Sequence, residues 1–193
     1  MRGGNSWWEF NYRRLASYFA ENVGVYPKCF ATTRDGKFLI SGGHWDSSVR
    51  IASTETGKTV DVVHGHYDVV TCIGMSEDGN VLITGSRDTT IVPWQIIYGP
   101  GEICSLKRYP RAVFCGHDDE ITSVAVNVEY DIVLSGSKDG TCVLHSLQDG
   151  RYLRTIRPKT SFEGVIVYSV MATAQSYILV HSITSIEVYF HMR

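Results

Sequence analysis

His66-Tyr67-Asp68 leads to Thr84-Gly85-Ser86-Arg87-Asp88 and then to Trp94; His117-Asp118-Asp119 leads to Ser135-Gly136-Ser137-Lys138-Asp139 and then to His145. The two stretches keep one register. The spacing is 22 positions from His66 to Asp88 and again from His117 to Asp139. Each His lies 18 positions before its hydroxyl residue, and each Asp lies 6 before the last member. One such coincidence arises by chance in many chains. Three at once mark an internal repeat, and a repeat decides the fold before any single residue can.

Outward from these stretches, short β-rich runs alternate with turn signals from residue 28 onward. Phe38–Ser41, Val69–Met75, Val81–Thr84, Ile121–Asn127 and Ile132–Ser135 read as strands. Asp35-Gly36, Asp78-Gly79 and Asp149-Gly150 supply residues that accept the positive φ of tight turns. A four-strand period of about forty residues describes propeller blades. The expected blades are residues 28–63, 69–115, 121–156 and 164–190, the last with three strands only. The chain is therefore expected to be all-β, with about three and three-quarter blades of four-stranded antiparallel sheet. Residues 95–110 are an insertion rich in Gly and Pro. They are expected to protrude as a loop before a fourth strand at Arg111–Cys115.

Ahead of the sheets, Ser6 and Glu9 have capping-box spacing, and Trp8, Tyr12, Leu15 and Phe19 share one helical face. Residues 6–21 are expected to form an amphipathic helix within a 1–27 extension. The 193 residues carry 44% hydrophobic and 20% charged side chains and a formal net charge of −2. Such a balance describes a globular chain with no general attraction to nucleic acid or anionic membrane. The five cysteines, at 29, 72, 104, 115 and 142, are odd in number and form no CxxC. A disulfide framework is not expected, which favours a reducing compartment. No apolar run reaches 18 residues, so no transmembrane segment is expected.

The register resembles the WD40 repeat. Gly65-His66 and Gly116-His117 stand ahead of strands, and Gly-Ser-x-Asp recurs at 85–88 and 136–139. The resemblance implies a buried structural tetrad: His66, Thr84, Asp88 and Trp94 in the second blade. The third blade offers His117, Ser135 and Asp139, with His145 in the Trp position. The first blade has Asp46, but Ala52 replaces the Trp and no Gly-His precedes it. An indole N–H can only donate, a Thr hydroxyl can accept it and donate onward, and His can bridge to Asp. Each buried member left without a partner would cost about 1–3 kcal/mol.

The same residues admit other readings. A His, an Asp and a hydroxyl suggest a hydrolase triad, but a triad explains one copy and the sequence has two in register. His64, His66 and His44 suggest a metal site, although no spaced Cys or carboxylate completes the set. Asp118-Asp119-Glu120 reads as a solvated turn more readily than as a cation loop. The glycines at 136 and 140 lead into a strand, not into a helix N-terminus that would cradle phosphate. No catalytic residue, cofactor or metal is expected.

Finer segments are similar to the WD repeats of the neurobeachin and neurobeachin-like family of BEACH-domain proteins. They include Gly43-His44-Trp45-Asp46-Ser47-Ser48-Val49-Arg50, Pro110-Arg111-Ala112-Val113, Gly140-Thr141-Cys142-Val143-Leu144-His145 and Tyr152-Leu153-Arg154-Thr155-Ile156-Arg157-Pro158. In that light His145 is a family trait. The resemblance implies a non-enzymatic scaffold module acting in vesicle trafficking, granule biogenesis or membrane-protein sorting. It places the chain in the cytoplasm, peripheral on endomembranes through a complex. It implies protein partners, among them a BEACH domain or protein kinase A-type signalling components, and no nucleic acid. The alternatives are a WD40 adaptor of another pathway, such as a ubiquitin-ligase receptor or signalling scaffold, and a truncated fragment without function. An unclosed ring is expected to be marginally stable or to associate through its open ends. WD40 loops on one rim carry recognition, which points here to Trp45, Tyr67, Arg87, Asp118 and Lys138; the alternative for Trp45 and Tyr67 is packing against neighbouring blades, and residues 95–110 are a second candidate surface.

Overall fold

Runs of β-branched residues between turn residues fold into fifteen strands among the described residues, grouped in four antiparallel sheets. The computed structural model describes residues 27–99, 104–108, 113–158, 166–173, 177–182 and 185–190. The expected helix at 6–21 lies outside them. After a 3₁₀ turn at Pro27–Cys29, β1 (Phe30–Thr32), β2 (Phe38–Ser41), β3 (Ser48–Ser53) and β4 (Thr59–His64) make the first sheet. The second holds β5 (Val70–Met75), β6 (Val81–Ser86), β7 (Ile91–Tyr98) and β8 (Cys104–Arg108). The third holds β9 (Ile121–Asn127), β10 (Ile132–Ser137), β11 (Cys142–Ser146) and β12 (Tyr152–Ile156). The fourth holds β13 (Val167–Ala172), β14 (Tyr177–Ser182) and β15 (Ile186–Phe190). Within each sheet, every strand pairs with its sequence neighbour. The first strands line up in succession, β1 on β5, β5 on β9 and β9 on β13.

The sheets are held face to face by three apolar clusters, one at each joint. Phe38, Ile40, Val49 and Ile51 of the first sheet meet Val70, Leu82, Val92 and Trp94 of the second. Ile83 and Ile91 of the second meet Ile121, Val124 and Val133 of the third. Leu134 and Leu144 of the third meet Val167, Val170, Ile178 and Val180 of the fourth. Successive strand residues point to opposite faces, so Leu82 and Ile83 serve different joints. A strand covered on both faces reads as continuous apolar and small residues. β6 and β10 do so, and every residue of each is buried.

Three glycines set how closely the sheets approach. A Cβ on Gly42 would stand 2.7 Å from Val70 Cγ1, on Gly85 2.5 Å from Ile121 Cγ2, and on Gly136 2.5 Å from Val167 Cγ1. Each glycine is thus a socket for the opening strand of the next sheet. Beside two of these sockets a threonine ties the joint. Thr71 Oγ1 donates to the Ile121 carbonyl, and Thr122 Oγ1 donates to the Val167 carbonyl. In the fourth sheet the register position of Gly85 and Gly136 is held by His181. The threonine position is held by Tyr168, whose ring lies 6.4 Å from that of His181.

The insertion in the second sheet differs from its expected form. It is a hairpin extension rather than a protruding loop. β7 runs on to Tyr98, and Trp94–Tyr98 pair with Cys104–Arg108. Ile96 and Leu106 turn inward and join the first joint's core, and that burial fixes the register. The strand expected at Arg111–Cys115 is reduced, among the described residues, to a single bridge between Phe114 and Ile91.

Candidate functional site

The second sheet contains a continuous polar chain. Trp94 Nε1–H donates to Thr84 Oγ1 at 2.9 Å. Thr84 Oγ1 lies 2.8 Å from His66 Nε2, and His66 Nδ1 lies 3.2 Å from Asp88 Oδ2. A carboxylate can only accept, which assigns the imidazole proton to Nδ1 and makes Nε2 an acceptor for the Thr84 hydroxyl. The order is then indole to hydroxyl to imidazole to carboxylate. Asp88 also receives the Tyr67 N–H at 2.8 Å and, on its other oxygen, the Thr90 N–H and hydroxyl at 2.9 and 2.6 Å. Burial alone pushes the Asp88 pKa up. The hydrogen bonds from His66, Thr90 and the Tyr67 backbone outweigh that and hold it far below the usual carboxylate range.

The third sheet repeats the chain with one member changed. His117 Nε2 meets Ser135 Oγ at 2.9 Å and His117 Nδ1 meets Asp139 Oδ2 at 2.9 Å. Asp139 accepts the Asp118 N–H at 3.0 Å and both Thr141 donors, at 2.7 and 2.6 Å. Its pKa too is lifted by burial and then brought far down by the bonds from His117, Thr141 and the Asp118 backbone. His145, in the place of Trp94, does not reach Ser135. Its Nε2–H donates 3.0 Å to the Cys115 carbonyl, and its ring stacks on Phe114 with centroids 5.1 Å apart. Nδ1 is buried without a partner. Burial is the main cause that lowers the His145 pKa.

The first sheet completes a hydroxyl–imidazole pair by another route. His44, from the loop between β2 and β3, places Nε2 2.9 Å from Ser41 Oγ. Asp46 takes the Ser48 hydroxyl at 2.6 Å and Arg50 Nη2 at 2.8 Å. These bonds overcome the upward push of burial and set the Asp46 pKa at about 2. Sequence reasoning weighed His44 only as a metal ligand and missed its bond to Ser41, and it missed the hydroxyls of Ser48, Thr90 and Thr141. The signal was present: Asp46-Ser47-Ser48, Asp88-Thr89-Thr90 and Asp139-Gly140-Thr141 all read Asp-x-Ser/Thr.

The five expected rim residues fall on one end of the sheets. Backbone bonds link the loops that carry them: Gly43 N–H to Val70 O at 2.9 Å, Arg87 N–H to Val69 O at 3.0 Å, and Lys138 N–H to Glu120 O at 3.1 Å. Trp45 is 67% exposed and Tyr67 98%, so neither packs into a joint. Arg87, Asp118 and Lys138 are exposed as well. Glu120 was not foreseen. It receives Lys138 Nζ at 2.9 Å on one oxygen and Arg87 Nε at 3.5 Å on the other, joining the second and third sheets across the rim.

Residues 9–191 match the family model of the neurobeachin beta propeller domain. The chain belongs to that family. It is 37% identical to BEACH domain-containing protein B of Arabidopsis thaliana, covering 75% of this chain and 6% of that protein. It is 34% identical to BEACH domain-containing protein lvsE of Dictyostelium discoideum, covering 83% of this chain and 7% of that one. The chain thus spans a small fraction of the length of these curated relatives. Among solved structures it superposes on the RRP9 WD40 repeats with a TM-score of 0.65 at 21% identity, covering 84% of this chain and 50% of that one. The fold is a WD40 propeller.

In this neurobeachin-type propeller the repeated His, Ser/Thr and Asp side chains bond to one another inside the blades. Among the described residues, no group of three or more His, Cys, Asp or Glu is gathered as a metal ion would need. Cys29, Cys72, Cys115 and Cys142 are not disulfide-bonded. Burial raises the thiols of Cys72 and Cys142 to about 12, so neither is a nucleophile near neutral pH. No described helix is long and apolar enough to cross a membrane.

Proposed function

We propose that this chain is a non-enzymatic protein-interaction module of a BEACH-type scaffold that acts in vesicle trafficking, granule biogenesis or membrane-protein sorting. One observation carries the reading. The polar side chains that could do chemistry bond inward, while Trp45, Tyr67, Arg87, Asp118 and Lys138 stand exposed on one rim. Aromatic residues and Arg dominate binding energy at interfaces. WD40 propellers generally engage proteins, and the relatives carry BEACH domains in their names. The partners proposed for this chain are a BEACH domain and protein kinase A-type signalling components, at cytoplasmic faces of endomembranes.

Proximity labelling in cells tests this. The wild-type chain should label endomembrane sorting proteins, and the Trp45→Ala/Tyr67→Ala variant should lose them while keeping its melting temperature, since both side chains are exposed. An unchanged labelled set would remove the rim from the reading. A set without membrane-sorting proteins would remove the trafficking role.

A further inference from the structure

Among the described residues, five loops of the first three sheets reach this rim: residues 42–47, 65–69, 87–89, 116–120 and 138–140. Together they carry seven carboxylates, Asp46, Asp68, Asp88, Asp118, Asp119, Glu120 and Asp139, against two cations, Arg87 and Lys138. Both cations are held by Glu120. Asp46 is held by Arg50, and Asp88 and Asp139 are committed to the buried histidines. Asp68, Asp118 and Asp119 remain without a cation partner among the described residues. At the same end Lys28, ahead of β1, and Arg157, after β12, add two cations, so the described rim carries seven carboxylates against four cations in a chain whose formal net charge is only −2.

Two large exposed aromatic side chains stand on these loops, Tyr67 next to Asp68, which no described cation holds, and Trp45 next to Asp46, which Arg50 holds. Tyr67 precedes Asp68, and its loop is fixed at three points. Its N–H is bonded to Asp88, and the carbonyls of Asp68 and Val69 both accept the Ser86 hydroxyl at 2.9 Å. The Trp45 loop meets the same segment through Gly43 and Val70. An aromatic ring presented on a rigid loop loses little entropy on binding. An aromatic face flanked by uncompensated carboxylates favours a cation, by cation–π attraction and by the surrounding field.

Resting on the interaction reading above, we infer that the rim takes a basic segment of a partner protein, an extended peptide rich in Arg and Lys. Its cations stack on Trp45 and Tyr67 and pair with Asp68, Asp118 and Asp119. Nucleic acid and anionic lipid are repelled by the same charge.

The test is fluorescence anisotropy on the full chain. The probe is a labelled twelve-residue peptide alternating Arg and Gly, with its Glu-Gly counterpart as control. The Arg peptide should bind, and its affinity should fall at least about tenfold between about 50 and 200 mM salt. Trp45→Ala/Tyr67→Ala and Asp118→Asn/Asp119→Asn should each weaken it about tenfold or more. The opposite mouth supplies a matched control, because Glu77 and Glu129 line a cavity of about 430 Å³ there with Arg34 and Asp78. Glu77→Gln/Glu129→Gln should leave binding unchanged. Equal binding of the Glu peptide, or equal loss from the opposite-mouth variant, overturns the inference. Should rim variants still lose their cellular partners in that event, the interaction reading stands and only the charge assignment falls.

Discussion

Blades two and three share their register and end it differently. In blade two the indole of Trp94 feeds a chain of hydrogen bonds that closes on Asp88. In blade three His145 turns away from Ser135 and binds the Cys115 backbone, leaving one nitrogen unsatisfied. The His–Asp half of the network is therefore independent of its fourth member. It stands with the same partners and similar distances in both blades. What the fourth member adds is packing and a donor for the hydroxyl; the third blade keeps a buried ring, stacked on Phe114, and trades the donor for a tie to the segment after β8.

The harshest way to break this comparison is truncation of each fourth member. Trp94→Ala should cost about 3–5 kcal/mol, because Trp94 belongs to the first joint's core and leaves a large cavity. His145→Ala should cost about 1–3 kcal/mol, since it removes an orphaned polar atom along with its stack. Urea unfolding measures both. Equal costs would mean that the complete network gives blade two nothing beyond its partial copy.

Next come the shared halves. Asp88→Asn and Asp139→Asn each weaken charge-assisted bonds from a buried His and a Thr, and each should cost about 1.5–3 kcal/mol. Near-identical losses are expected, whatever the fourth member. Acid gives a parallel test. Both carboxyls titrate lower in the folded chain than in the unfolded one. As pH falls below about 4 the unfolded state takes up protons first, so the stability these groups supply is full above that pH and drains away below it.

A milder acid separates the blades. His145 has a lowered pKa when folded, so the unfolded chain binds that proton first. The stability it supplies is full above about pH 6.5 and declines as pH falls through that value. The urea midpoint should drop between pH 7.5 and pH 5.5, and less so in His145→Phe. Identical drops would assign the effect to another group. The smallest expected effect lies in the turn after each Asp. Thr89 sits at φ 68° and Gly140 at φ 79°, a region that a β-branched residue enters only under strain. Thr89→Gly should stabilise by about 0.5–1 kcal/mol and Gly140→Thr should destabilise by about 1 kcal/mol or more, read as shifts in melting temperature.

The sequence made the repeat legible because turn chemistry and tetrad spacing are local and exact in count. Sheet order and the His66–Thr84–Asp88–Trp94 chain follow from that register, whereas the register left open whether Trp45 and Tyr67 face solvent or pack between blades. Other features depended on packing that spacing does not encode. β8 was hidden because the Gly99-Pro100-Gly101 cluster reads as a loop, while the burial of Ile96 and Leu106 that pairs the flanking residues is a tertiary effect. His44 was hidden because it reaches Ser41 from three positions away rather than from a preceding Gly-His. Glu120 read as one member of an acidic run, and only the approach of two blades shows it between Arg87 and Lys138.

The glycine sockets also bear on the symmetry of the ring. A propeller has a uniform angle from blade to blade only while every joint seats the next sheet at one depth. Gly42, Gly85 and Gly136 set that depth three times over, within 2.5–2.7 Å of a would-be Cβ. His181 stands where the fourth socket would be. A sheet meeting the far face of blade four must stand off by the thickness of an imidazole or rotate to clear it. A sheet seated on that face would thus meet an imidazole where the other three joints meet a glycine, and it would not repeat their depth unless the ring swung aside.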